Sequence, residues 1–146
     1  MLGRKNYTQE EIDQARSAVD GQLAAYRDLL RALDDGDGSA DARAVQQAFE
    51  THFFANLTLA LDRYFVHRIR PVTGKDGNPL NEVELIAESL MTNGGVLRAT
   101  KVIKYVPAEA VLGLEPGDRI QLTADDFARL SSAFFNELER RFLEAA

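Results

Sequence analysis

From Phe49 to Arg70 the chain reads as one long helix that is apolar over most of its circumference. A helix of that kind is buried on more than one side. At about 100° per residue, Phe49, Phe53, Leu57, Ala60, Leu61 and Tyr64 share one face, with Phe54 and Phe65 at its edge. Leu59, Val66 and Ile69 fall outside that face. One narrow polar stripe runs beside it: His52, Asn56, Arg63, His67 and Arg70 lie within about 60° of one another. Five hydrogen-bonding side chains in file can line a cleft and hold an anion, with Arg63 supplying a planar fork. The alternative is a solvated stripe, or polar groups that tie this helix to its neighbours.

The 146 residues point to a single domain, long enough to bury roughly 70% of the unfolded chain's surface without staples. There is no cysteine, which excludes disulfides, thiolate metal sites and thiol catalysis. Met1–Glu11 has no apolar signal core, and no apolar run approaches the roughly 20 residues that span a bilayer. The expectation is a cytoplasmic protein that does not engage a membrane. A net charge of −6 argues against nucleic acid, whose binding rests on phosphate neutralisation. The charge is uneven. Arg63, Arg68, Arg70, Lys75, Arg98, Lys101 and Lys104 make the middle of the chain basic between acidic ends, a pointer to an anionic ligand.

Residues 1–7 read as a flexible arm. Thr8 and Glu11 form a capping box that opens a helix to about Leu33. Its apolar positions are Ile12, Ala15, Val19, Leu23, Tyr26, Leu30 and Leu33, a spacing suited to packing on another helix or to a homodimeric coiled coil. Residues 34–40, D-D-G-D-G-S-A, read as an acidic linker. A calcium loop beginning at Asp35 would place Ala40 at the sixth position and Gln46 at the twelfth. Gly and Glu are required there. Ser39 or Asp41 then caps the second helix, which Pro71 ends near Arg70.

Gly74–Asn78 is a turn segment ahead of a helix N-terminus, which raises a phosphate cradle, although the P-loop pattern is missing. Asn78-Pro79 reads as cap and first residue of a third helix, with Asn81 and Glu84 as an alternative start. Leu80, Val83, Ile86, Ala87, Leu90 and Met91 share its face, and Asn93-Gly94-Gly95 ends it. Ile103–Val106 and Arg119–Leu122 suggest a small two-stranded antiparallel ribbon, with a type II turn at Glu115–Asp118. A helical turn is expected near Pro107–Leu112. Thr123 and Asp126 cap a last helix, whose face is Phe127, Leu130, Phe134, Phe135, Leu138, Phe142 and Leu143. All eight phenylalanines fall in the second and last helices, so those two should meet at the centre of the core. The expected fold is mainly α: a four-helix up-and-down bundle with the ribbon between the third and last helices. A three-helix core with the first helix detached is the alternative.

The strings G-K-D-G-N-P-L-N-E-V, I-K-Y-x-P, G-D-R-I-Q-L and F-F-N-E-L-E-R-R-F resemble a group of short bacterial proteins with no assigned function. The resemblance covers roughly residues 45–143 and brings no catalytic residue with it.

No catalytic motif is present: no G-x-S-x-G, no S-x-x-K and no dinucleotide fingerprint. His52 and His67 are 15 residues apart, which on one straight helix is roughly 22 Å, too far to share an ion. No metal and no cofactor is expected. Three functional classes remain. One is a binding or regulatory module for a small anionic ligand or a partner protein, using His52, Asn56, Arg63, His67 and Arg70. Another is an enzyme using His67 with Arg63 on an anionic substrate. The third is an assembly component whose first helix makes a homodimer.

Overall fold

The computed structural model describes residues 3–34 and 39–143. Five helices carry the described chain: α1 (Gln9–Asp34), α2 (Ala40–Tyr64), α3 (Arg70–Thr73), α4 (Pro79–Thr92) and α5 (Ala124–Phe142), with a 3-10 turn at Pro107–Glu109. The protein is mainly helical, and no described helix is long and apolar enough to cross a membrane. The acidic residues 35–38, and with them the calcium-loop candidate, lie outside the described residues.

Helix starts follow local chemistry. Thr8 Oγ1 accepts from Glu11 N at 3.2 Å and Glu11 accepts from Thr8 N at 2.9 Å. Ser39 Oγ accepts from Ala42 N. Asn78 Oδ1 accepts from Leu80 N at 3.0 Å, and Thr123 with Asp126 forms a reciprocal box. Each satisfies amides that a helix N-terminus cannot pair internally.

The ends obey longer-range contacts. α2 stops at Tyr64 rather than near Arg70. The next residue, Phe65, is buried against Tyr7, Phe134 and Phe135. Arg68 folds back, donating to Phe65 O at 3.0 Å and to Asp62 Oδ1 at 2.8 Å. Residues 67 and 69 then spend their backbone groups on Arg4, whose N–H reaches His67 O and whose carbonyl accepts from Ile69 N at 3.0 Å. This corrects the reading of a flexible arm for residues 3–7, while residues 1 and 2 of that arm lie outside the described residues. Residues 3–7 run along the body, and the Tyr7 ring is 3% exposed, 4.9 Å from Phe65 and 5.3 Å from Phe142. One aromatic side chain in a short polar segment gave no periodic signal of this docking.

The expected ribbon does not form, and no strand occurs among the described residues. Arg119 makes an antiparallel bridge with Val96, while Lys104 makes a parallel one with Asp76. The turn itself is as read: Asp118 N donates to Glu115 O at 2.9 Å, and Gly117 takes φ 99°, open only to glycine without strain. However, Leu97 N donates to Asp118 O and Ile120 N to Gly95 O, each at 2.8 Å. The glycine pair ending α4 therefore delivers residues 95–97 to the partner that Ile103–Val106 was expected to take. Ile103, Ile120 and Leu122 are buried on the helices.

The helices pack α1 on α2 and α5, and α4 on α2 and α5, with α2 also touching α5. Phe54 of α2 lies 5.4 Å from Phe127, and Phe65, just past the end of α2, lies 6.0 Å from Phe134, so these phenylalanines do meet those of α5 in the core. α4 is buried nearly all round at Leu80–Val83 and Leu85–Ala87, whereas Met91 points to solvent.

Candidate functional site

The rotation of α2 decides the fate of the polar stripe. Its buried residues are Phe54, Leu57, Thr58 and Leu61, while Phe49 and Tyr64 are about half exposed. On the helical wheel this is a rotation of roughly 80° from the face chosen by pattern alone. Thr58 is buried because its Oγ1 donates to Phe54 O at 2.7 Å, which satisfies the hydroxyl locally. His52, Asn56 and Arg63 consequently lie diametrically opposite the core and are exposed. His67 is also exposed, but in the turn after α2. Arg70 is turned away altogether. It donates to Asn81 Oδ1 at 2.8 Å, to Gly74 O at 3.2 Å and to Glu84 Oε2 at 2.6 Å. The five residues thus do not form one helical file: three share the solvent face of α2, and Arg70 is a structural tie.

The Gly74–Asn78 loop is likewise committed, and to the wrong sign for an anion. Its carbonyls face side-chain donors. Asn81 Nδ2 reaches Gly74 O at 3.1 Å and Asp76 O at 2.7 Å, and Asn78 Nδ2 reaches Thr73 O at 2.9 Å. Asp76 adds a carboxylate, held below the ordinary 3.8 by the Asn78 hydrogen bond and by nearby Arg141. The α4 amides of Leu80 and Asn81 already belong to Asn78 Oδ1. At Gly74, φ is 78° and an added Cβ would lie 2.9 Å from Arg141 Nη1, so glycine is required there for shape.

The site with room lies at the far end of α1 and α2. The N-terminus of α5 reaches both helices at one level, with Arg27 Nη2 3.2 Å from Asp125 Oδ1 and Ala124 N donating to Glu50 Oε1 at 2.7 Å. Beyond that level α1 continues to Asp34 and α2 begins at Ala40. The two helices project as an arm, and α5 no longer lies over their seam. The α1 stripe does not stop there: Leu30 and Leu33 continue it, and Leu29 widens it. Val45 is 70% exposed, Leu33 50%, Phe49 48% and Leu29 46%.

Between the helices runs an open groove of about 550 Å³, walled by Leu29, Leu30, Leu33, Ala42, Val45 and Phe49. Its floor is the Tyr26 ring, stacked 5.7 Å from Phe53 and 6.2 Å from Phe49. Burial raises the Tyr26 hydroxyl above its ordinary 10.0, with Glu50 adding to the effect. The floor is therefore a neutral phenol. Gln46, Ser39 and Asp41 supply the polar rim. Val45, Phe49, His52, Asn56 and Arg63 fall on one wheel face of α2, so the polar stripe continues the apolar wall of the groove. Val45 and Leu29 were missed as site residues. The available signal was an isolated valine in a polar turn and a second leucine row beside the first.

Sequence reading also missed Glu82. It is 1% exposed, and its two oxygens accept from Val111 N at 2.8 Å and Leu112 N at 3.0 Å. It fastens the loop after α4 to that helix. Among the described residues, no three His, Asp or Glu side chains stand close enough to hold a metal ion. Comparison with protein-family models, with curated proteins and with solved structures found no match.

Proposed function

We propose that this chain is a protein-binding module, and that its working surface is the groove between the projecting ends of α1 and α2. A helix with one apolar face is the natural occupant, because two helices already supply two sides of a three-helix seam. The observation that carries the reading is the row Leu29, Leu33, Val45 and Phe49, left between 46% and 70% exposed beyond the N-terminus of α5. Apolar side chains exposed singly are ordinary, but a contiguous row along a groove is characteristic of an interaction site. His52 and Asn56 lie farther along the same face of α2 and would meet the polar edge of such a helix.

A small anion finds less support. Arg63 and His67 are exposed, and Arg70 is already paired. The same exposure weakens the reading of His67 with Arg63 as a catalytic pair, which would need a site that shields the reacting atoms from water.

The test is a titration of the full chain with a synthetic amphipathic Leu/Lys helix, followed by amide NMR shifts. Shifts should concentrate at residues 26–33 and 42–56. Val45→Glu should weaken binding at least tenfold without lowering the melting temperature. Shifts spread over α4 and α5, or undiminished binding by the variant, would refute the groove.

A further inference from the structure

We infer that the seat occupied by residues 3–7 is a recognition site for an extended segment of the pattern Gly-Arg-x-x-aromatic, and that the chain's own strap holds it shut. The seat lies at the opposite end of α1 and α2 from the groove, and the inference stands apart from it.

The strap is held as a peptide ligand is held. Main-chain bonds grip it on both flanks: Arg4 pairs with His67 and Ile69, and Tyr7 N donates to Phe142 O at 2.7 Å. The bridges to Arg68 and Leu143 are both parallel. Side chains then select at Gly3, Arg4 and Tyr7. Gly3 lies so close to Ile69 that an added Cβ would stand 2.9 Å from Ile69 Cβ. The Arg4 guanidinium meets both oxygens of Glu11, at 2.8 and 3.0 Å. The Tyr7 ring enters the slot between Phe65 and Phe142. Main-chain bonds for affinity and a pocket for a side chain are how extended peptides are read. Lys5 and Asn6 face solvent and impose no requirement.

The same contacts make the strap releasable. Of residues 3–7 only Tyr7 is fully buried. The Arg4–Glu11 pair is 44% and 40% exposed, which limits its worth. Two buried donors have no partner among the described residues while the strap is closed: Tyr7 Oη and Arg68 Nε. Arg68 is bridged to Arg4, so opening brings water to both atoms and offsets part of the lost packing. α1 need not unwind, because Glu11 keeps Thr8 N when it loses Arg4. Opening frees His67 O, Ile69 N and Phe142 O beside an empty aromatic slot. A second segment of the same pattern finds there every contact that the strap gave up.

Two measurements on the full chain test this. The first is amide hydrogen exchange of the wild type. The amides of Arg4, Tyr7 and Ile69 bond across the seat. They should share one opening, with protection at least about tenfold below that of the Phe134 amide in α5. Exchange of all three only together with α5 means that the strap leaves on unfolding alone, and overturns the inference. The second is a titration with the peptide Gly-Arg-Lys-Asn-Tyr-Thr, copied from residues 3–8. Tyr7→Ala empties the slot, so this variant should bind the peptide at least about tenfold more tightly than the wild type. Bound peptide should raise the variant's melting temperature, and a peptide with alanine for tyrosine should do neither. No binding, equal affinity for the two chains, or binding that ignores the peptide's tyrosine overturns the site. If Tyr7→Ala does not fold, Arg4→Glu takes its place, since it sets a carboxylate against Glu11 and should tighten peptide binding in the same direction.

Discussion

The Glu82 carboxylate, buried in α4, accepts the backbone N–H of Leu112 at 3.0 Å, 30 residues further along the chain. Its other oxygen takes Val111 N. Two bonds to one carboxylate fix a loop that has no strand to hold it.

Replacing Glu82 by glutamine leaves one good acceptor and turns a donor toward one of these amides. At pH 4 the folded Glu82 carboxyl is itself protonated and likewise offers one good acceptor, so glutamine should cost no more than about 1 kcal/mol there in urea denaturation. Burial raises the Glu82 pKa above 4.5 against the pull of the two amides and Arg129. The folded state thus holds this proton to higher pH than the unfolded chain, and stability falls as pH rises from 4.5 through the folded value. Glutamine has no such dependence, so the gap between the two proteins should narrow on going from pH 4 to pH 7. A gap that widens would contradict the burial argument.

Tyr7 separates packing from hydrogen bonding. Its ring fills the space between Phe65 and Phe142, but its buried hydroxyl has no hydrogen-bond partner among the described residues. Tyr7→Ala should cost about 3–5 kcal/mol through the cavity it leaves. Tyr7→Phe should stay within about 0.5 kcal/mol of the native protein, because no bond is lost. Thermal melts of both variants decide the matter.

Arg70 and Arg63 looked alike in sequence and should behave differently. Arg70→Ala breaks contacts to Asn81, Gly74 and Glu84 and should destabilise by about 1.5–3 kcal/mol. Arg63→Ala removes an exposed group and should lie within about 0.5 kcal/mol of wild type. Chemical denaturation of the pair provides the comparison.

Glu11 shapes the acid limb of stability. The Arg4 guanidinium, and after it the Thr8 amide, hold its carboxyl at about 2 rather than the usual 4.5. Its stabilising contribution is present above pH 4.5 and is lost as pH falls from 4.5 toward 2. The pair is exposed, so its worth is screened and smaller than the shift suggests. Glu11→Gln should flatten the stability curve in that window, and about 1 M salt should flatten the wild-type curve similarly. An unchanged acid limb in the variant would show that Glu11 keeps its proton balance on unfolding.

Helix starts were legible because they are local: Thr8 with Glu11, Asn78 with Pro79 and Thr123 with Asp126 each complete a cap within four residues. The buried stripes of α1 and α5 were legible for a related reason, since each is apolar on one side only. α2 is apolar nearly all round, so its sequence left the rotation open. Packing chose the face of Phe54, Leu57 and Leu61, and that choice put His52, Asn56 and Arg63 in water. Pairing partners were also beyond local reading. Residues 95–97 took the place that Ile103–Val106 was expected to fill, and residues 3–7 found His67, Ile69 and Phe142. The sequence by itself determined a mainly helical chain, its caps and its aromatic core, because these follow from periodicity and near-neighbour hydrogen bonds, while the ribbon it also suggested did not form. Only the tertiary structure decided where α5 ends relative to α1 and α2. That length mismatch, invisible to any single helix, is what leaves Leu29, Leu33, Val45 and Phe49 facing an open groove.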